Sequence, residues 1–369
     1  MSKNPAQRLV EFGQSVWYDN ISREIINNGA LKKYILEWGV RGLTSNPTIF
    51  DNAISKSNVY DGKIAEMKKA NQSVDQIYEA IAIADIADAA DLLLPVYKES
   101  NGDDGFVSIE VSPLLASDTT GTVEEAKRLY KKLNRPNIMV KVPGTKEGLP
   151  AVAALLEEGI SINITLLFSV ENYVDVAKTY CQALSKRAAK GLPIDKIRSV
   201  ASFFVSRVDT IVDGALEEII KSEPAKAEKA KSLLGAFGIA NSKLAYAEYL
   251  KIFEGPSFSD LKAKGGVSQR PLWASTGTKN PKYRDVIYVE ELIGPNTVNT
   301  MPHQTLEAFV DHGVPKESVT KGHEEAQRVR DDLLELGVNL SKLMQHLQDD
   351  GVKKFSESFH SLNKAISSK

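Results

Sequence analysis

Short apolar runs, each ending in polar residues or proline, recur along this chain and are separated by segments of helical period. The runs are 15–20, Val40–Pro47, Phe106–Val111, Asn137–Pro143, Ser161–Leu167, Val200–Arg207, Pro271–Lys279 and Thr297–Pro302, the last being the weakest. Runs of this length, rich in β-branched residues and bounded by Gly, Pro or polar residues, read as buried strands. Between them the pattern predicts helices over about 48–97, 122–134, 146–157, 170–190, 209–221 and 224–253, and helix again from about 317 to the end. In that last region Leu333, Leu336, Leu340, Leu343 and Leu347 supply a core face, with Gly337 and Gly351 as breaks. Eight strands, nearly all separated by helices, predict an α/β fold: a single (β/α)8 TIM barrel spanning 1–369, with additional N- and C-terminal helices. A doubly wound open sheet is the competing architecture, and neither a Gly-x-Gly-x-x-Gly at a strand end nor a P-loop speaks for it.

One strand carries a residue that a structural core has no use for. In Asn137–Pro143 alternate side chains face opposite ways, so Ile138, Val140 and Val142 share one face while Met139 and Lys141 share the other. Burial penalises the ammonium form, and the neutral amine is the form that attacks a carbonyl to make a Schiff base. The bland alternative is a lysine snorkelling from an edge strand. Against it stands the company Lys141 keeps. In a barrel of this kind, catalytic groups sit at the C-terminal strand ends, and inward side chains come from alternate positions. Asp19, Thr44, Asn46, Glu110, Lys141, Asn163, Thr165, Ser202 and Ser275 are then directed to one mouth. A reacting lysine needs partners of this kind to move protons.

Composition narrows the rest. With 42% hydrophobic and 25% charged residues the chain has ample core, and a net charge of −2 with both signs spread throughout predicts no nucleic-acid face. The one cysteine, Cys181, excludes an intrachain disulfide and reads as a buried helix residue. The N-terminal stretch Met1–Pro5 lacks the apolar core of a secretory signal, and no run is long enough to span a bilayer, so the expected location is cytoplasmic, with no membrane partner. Asp85, Asp88 and Asp91 form a row at helical spacing that reads as a solvated or capping face. His303, His312, His323, His346 and His360 show no ligand spacing, so no metal is expected.

Three stretches resemble signatures of the transaldolase family of Schiff-base-forming aldolases. They are Leu43–Phe50, Val140–Leu149 around Lys141, and Asn163–Ser169, in the family's order and within a likeness that covers most of the chain. The resemblance implies an α/β barrel and a transferase. That enzyme moves a dihydroxyacetone unit from sedoheptulose 7-phosphate to glyceraldehyde 3-phosphate, giving erythrose 4-phosphate and fructose 6-phosphate, in the pentose phosphate pathway. It implies Lys141 as the imine-forming residue, Asp19 as the base at the sugar hydroxyl, and Glu110 with Thr165 as holders of a proton-shuttling water. Asn46, Asn163 and Ser202, with Thr44 nearby, are implied to contact the dihydroxyacetone hydroxyls, and turn formation or capping is the alternative for Asn46. Arg207, Ser275 and Lys279 are implied to hold phosphate. Here the chain departs from the pattern, since many transaldolases carry an arginine in a shorter turn after this serine, and a lysine binds phosphate as a point charge. No cofactor is implied, the partners are sugar-phosphate substrates, and the molecule is expected as a monomer or homodimer.

Two other readings remain beside this one. A fructose 6-phosphate aldolase shares barrel and lysine but releases free dihydroxyacetone. Such relatives are much shorter and tend to carry glutamine at the place of Glu110 and tyrosine at that of Phe204, so both residues favour transfer. A catalytically silent barrel that senses sugar phosphate has little reason to keep Asp19, Glu110 and Lys141 together.

Overall fold

Eight parallel strands close into a barrel in the computed structural model, which describes residues 3–369. They are β1 Gln14–Tyr18, β2 Val40–Leu43, β3 Val107–Glu110, β4 Ile138–Pro143, β5 Ile162–Leu167, β6 Ser199–Phe204, β7 Arg270–Ala274 and β8 Thr297–Met301. They neighbour one another in chain order, and β8 pairs back onto β1. Met1 and Ser2, part of the stretch considered above for a secretory signal, lie outside the described residues.

The period of two decides what fills the barrel. Trp17, Met139, Val200, Leu272 and Val298 pack together in one cluster inside it, whereas Val140, Val142, Ile162, Ile164, Phe203 and Trp273 meet the surrounding helices. Lys141 shares Met139's side and is therefore interior. The N-terminal end of the barrel is shut by Asp104, which accepts hydrogen bonds from Ser15 Oγ at 2.6 Å, Trp17 Nε1 at 3.1 Å and Arg41 Nε at 2.9 Å. Arg270 lies 3.3 Å from the same carboxylate. The polar residues singled out in the sequence gather at the opposite, C-terminal end.

The large indole of Trp17 fits because β2 carries a glycine opposite it. A Cβ at Gly42 would overlap the Trp17 ring, in a wall with no slack. Gly42→Ala is expected to destabilise the protein by about 1–3 kcal/mol through this overlap. The effect would be read as a lower denaturant midpoint at unchanged slope.

Several boundaries differ from the sequence pattern for identifiable reasons. Several strands stop before the polar residues that end their runs, so Asp19, Thr44, Asn46, Ser275 and Lys279 stand on the loops just beyond them, and Arg207 in the first turn of the helix Ser206–Ser222. The segment 224–253 is not one helix: Ala227–Ser232 and Phe237–Tyr249 are separated at Gly235, whose φ is +72°, and a π turn Leu250–Glu254 follows. Pro302 does not stop the chain's regular structure but caps the start of a helix, His303–His312, where its missing N–H costs nothing. Gly337, at φ +90°, does break the C-terminal region. Gly351 does not, and lies inside a long final helix, Leu340–Ser368.

The aspartate row also needs correction. Asp88 and Asp91 pair with Arg23 and Arg135 near the surface, but Asp85 is buried, accepting from the Tyr60 hydroxyl at 2.7 Å and pairing with Arg23. Among the described residues no cluster of His, Cys, Asp or Glu is arranged to hold a metal. No helix among them is long and apolar enough to cross a membrane. Cys181 is half-buried on the helix Val170–Ala189.

Candidate active site

Strand register assembles the centre of the site. Glu110 on β3 pairs with Lys141 on β4, which pairs with Asn163 on β5, so three adjacent strands present polar groups at one level. Lys141 is 5% exposed; its Nζ donates to the Ser45 carbonyl at 3.1 Å and stands 3.3 Å from Glu110 Oε2. Burial raises the Glu110 carboxyl above its ordinary value, with the Lys141 charge opposing. Thr165 Oγ1, two positions beyond Asn163 on the same face, is buried without a hydrogen-bond partner among the described residues.

Asp19 enters from the loop after β1. It accepts a 2.6 Å hydrogen bond from Thr44 Oγ1, which also lies 2.7 Å from Thr300 Oγ1. Burial raises its carboxyl too, against the lowering effects of Lys141, the Thr44 hydroxyl, Arg207 and Lys279. Both carboxyls thus hold protons more readily than they would in water, which suits groups that must both take and return them.

The far end of the cleft is cationic. Arg207 stands just past β6 with its Cζ 5.2 Å from the centroid of Phe204, and its buried Nη1 has no partner among the described residues. Burial lowers its pKa, the carboxylates of Asp350 and Asp19 opposing. Ser275 adopts φ +56°, a left-handed conformation uncommon for a residue with a Cβ, and its Oγ lies 2.9 Å from that of Ser206. Backbone strain of this kind, held by the surrounding loop, aims Ser275 into the cleft beside Gly277 and Lys279.

Ten of the sequence-predicted residues line this one cleft: Asp19, Thr44, Asn46, Lys141, Thr165, Ser202, Phe204, Arg207, Ser275 and Lys279. Glu110 touches it through Lys141. Asn163 stands apart from the wall. It is wholly buried, giving its Nδ2 to Ser108 Oγ at 3.1 Å and receiving Ser202 Oγ at 2.7 Å, so it orients Ser202 from beneath. The capping alternative for Asn46 holds for its oxygen, which accepts from Ile49 N at 2.9 Å at the head of helix Pro47–Ser55. Its Nδ2 is left for the cleft.

The cleft also contains residues that the sequence pattern does not single out. Thr300 shares parity with the interior Val298 on β8, a signal that is present in the weakest run. Phe355 comes from the final helix and has no signal beyond an apolar face.

Residues 16–366 match the family model described as transaldolase/fructose-6-phosphate aldolase. The chain belongs to that family. A protein of Trichodesmium erythraeum named transaldolase is 47% identical, the alignment covering 100% of this chain and 98% of the relative. Proteins of the same name from Thiobacillus denitrificans and Mycobacterium marinum are 46% and 45% identical over 97% and 98% of this chain, and 98% and 96% of their own lengths. The turn after Ser275, where this chain carries Gly277 and Lys279, forms part of the same cleft wall.

Proposed function

We infer that this chain is a transaldolase, transferring a dihydroxyacetone unit between sugar phosphates through an imine on Lys141. The observation that carries the reading is the 3.3 Å approach of Glu110 to Lys141, whose amine lines the cleft at the barrel mouth. Lys141 must lose its proton before it attacks, and Glu110 is the base within reach. The carbinolamine then loses its hydroxyl as water, with Glu110 and the free Thr165 hydroxyl holding that water and supplying the proton. Once the imine has formed, its protonated nitrogen takes up the electron pair released when the carbon–carbon bond breaks, so the lysine does the work that a cofactor would otherwise do.

Asp19 removes the proton of the sugar hydroxyl during cleavage and returns it to the acceptor aldehyde as the new bond forms. Ser202 and the Asn46 amide are placed for the hydroxyls of the three-carbon unit, and Thr44 holds Asp19 in position. Arg207 and Lys279 neutralise the phosphate, with Ser275 donating to it, in keeping with late loops holding phosphate in this fold. We read residues 1–369 as one domain acting in the cytoplasm as a monomer or homodimer.

The test is a coupled assay that follows erythrose 4-phosphate and free dihydroxyacetone together. Transfer from sedoheptulose 7-phosphate supports the reading, and release of dihydroxyacetone as the main product would replace it with the aldolase of the same family. In that assay Arg207→Ala is expected to raise KM for the phosphorylated substrates by roughly 10–100-fold, since it removes a partly buried guanidinium able to bind phosphate through two N–H groups. Lys279→Ala should raise it less, because a point charge on an exposed turn is screened. The reverse order would assign the phosphate to the turn.

A further inference from the structure

The final helix is fastened to the strands that carry the chemistry. Gln348 Nε2 donates to the carbonyls of Gly144 at 3.2 Å and Leu166 at 3.1 Å, at the ends of β4 and β5. One turn on, Gly351 lets Leu166 approach so closely that a Cβ there would lie 2.8 Å from Leu166 Cδ2. Leu166 itself is held at φ +61°, immediately after Thr165. A further turn along the same face is Phe355. It is 4% exposed, lines the cleft, and its ring centroid lies 5.8 Å from Lys141 Nζ. The polar groups around Lys141 are accounted for above by proton transfer or substrate contact, and a phenyl ring can do neither.

We propose that Phe355 is a specificity-determining residue that keeps solvent away from the three-carbon intermediate on Lys141 and so favours transfer over release. The inference rests on the Schiff-base reading of Lys141. After cleavage the fragment remains as an enamine with two fates. Its nucleophilic carbon can form a bond to the acceptor aldehyde, whose oxygen takes the proton from Asp19. Alternatively that carbon takes a proton from solvent and gives an iminium ion. The oxygen of a water then adds to the iminium carbon and gives up a proton to a carboxylate. The carbon–nitrogen bond breaks, and free dihydroxyacetone leaves Lys141 as the amine. Release begins with a solvent proton at carbon, which transfer does not need. An apolar ring 5.8 Å from the nitrogen takes up space beside it from which that proton would come. Phe355 comes to Lys141 from the final helix and Glu110 from β3, and in this reading the water needed to form and to hydrolyse the sugar imine is held on the Glu110 side.

The experiment measures free dihydroxyacetone released per fructose 6-phosphate formed by transfer from sedoheptulose 7-phosphate to glyceraldehyde 3-phosphate, at fixed substrate concentrations in the full-length enzyme. Phe355→Ala is expected to raise that ratio at least roughly tenfold, the side reaction being one that water exclusion suppresses. In deuterated water it should raise deuterium at the former enamine carbon of the released product in parallel. Phe355→Leu, which keeps an apolar filler, should give a ratio between those of the native enzyme and the alanine variant. Because both products come from the same active enzyme, partial loss of folded enzyme leaves their ratio unaltered. If the alanine variant does not fold, Leu and Val at this position supply the graded series. An unchanged ratio across the series, with transfer and release falling together, would reduce Phe355 to packing and overturn the proposal. Failure of the native enzyme to transfer, or to form its adduct on Lys141, would instead remove the Schiff-base reading itself.

Discussion

Lys141→Met removes the imine-forming nitrogen while nearly preserving side-chain length, and turnover is expected to fall by roughly 10⁵–10⁶-fold, the scale seen when a covalent nucleophile is lost. Fructose 6-phosphate with borohydride should fix a three-carbon adduct on Lys141 of the native protein and none on the variant, as read by intact mass and peptide mapping. Lys141 is the buried lysine facing the cleft, between Glu110 and the Ser45 carbonyl, whereas Lys279, the other amine lining it, stands on the exposed turn after β7. An adduct on another lysine, or turnover close to native in the methionine variant, would end the mechanism. Removal of the ammonium also leaves Glu110 buried without its ion-pair partner. Its carboxyl, already raised by burial, should then stay protonated to still higher pH, so the fold should survive and the loss should be one of chemistry.

Glu110→Gln keeps the shape of the site and removes its proton acceptor. We expect kcat to fall by roughly 10²–10⁴-fold with far less change in substrate binding, the range of a general acid–base group. An equal loss in both terms would argue against proton relay and for a contact made equally in ground and transition states. The pH profile gives a second readout. Glu110 must be ionised to accept a proton, and burial raises its carboxyl above the ordinary 4.5, so activity should decline as pH falls through a value higher than that. Asp19 is raised as well. The acid limb of kcat/KM therefore belongs to the two carboxyls together. Glutamine cannot titrate, so the variant's residual acid limb should report Asp19 alone and be simpler in form than the native one.

Much of this site is legible in the order of residues, because a strand repeats every two residues and a barrel turns that repeat into inside and outside. Parity alone puts Lys141 with Met139, and Thr165 with Asn163, and both pairs face inward. Parity does not say which inward residues reach open space. Asn163 has the right face but lies a level deeper, tied to Ser108 and Ser202, whereas Thr165 two residues later lines the cleft. The eighth strand is easily undervalued because its apolar signal is short, although Thr300 follows the same rule as the others.

Local chemistry, by itself, determined the eight strands, the direction each side chain takes from them, and the lysine that has no place in a passive core. These depend on steric alternation along the chain and on the cost of burying charge, both of which are written in neighbouring residues. Only the tertiary structure decided the rest. Asp85 is buried because Tyr60 and Arg23 meet it there. Gly351 serves as a seat for Leu166 and not as a break, and Phe355 reaches Lys141 from the far end of the chain. Contacts between residues distant in sequence depend on how the closed barrel brings its final helix back across the mouth, and no local pattern encodes that distance.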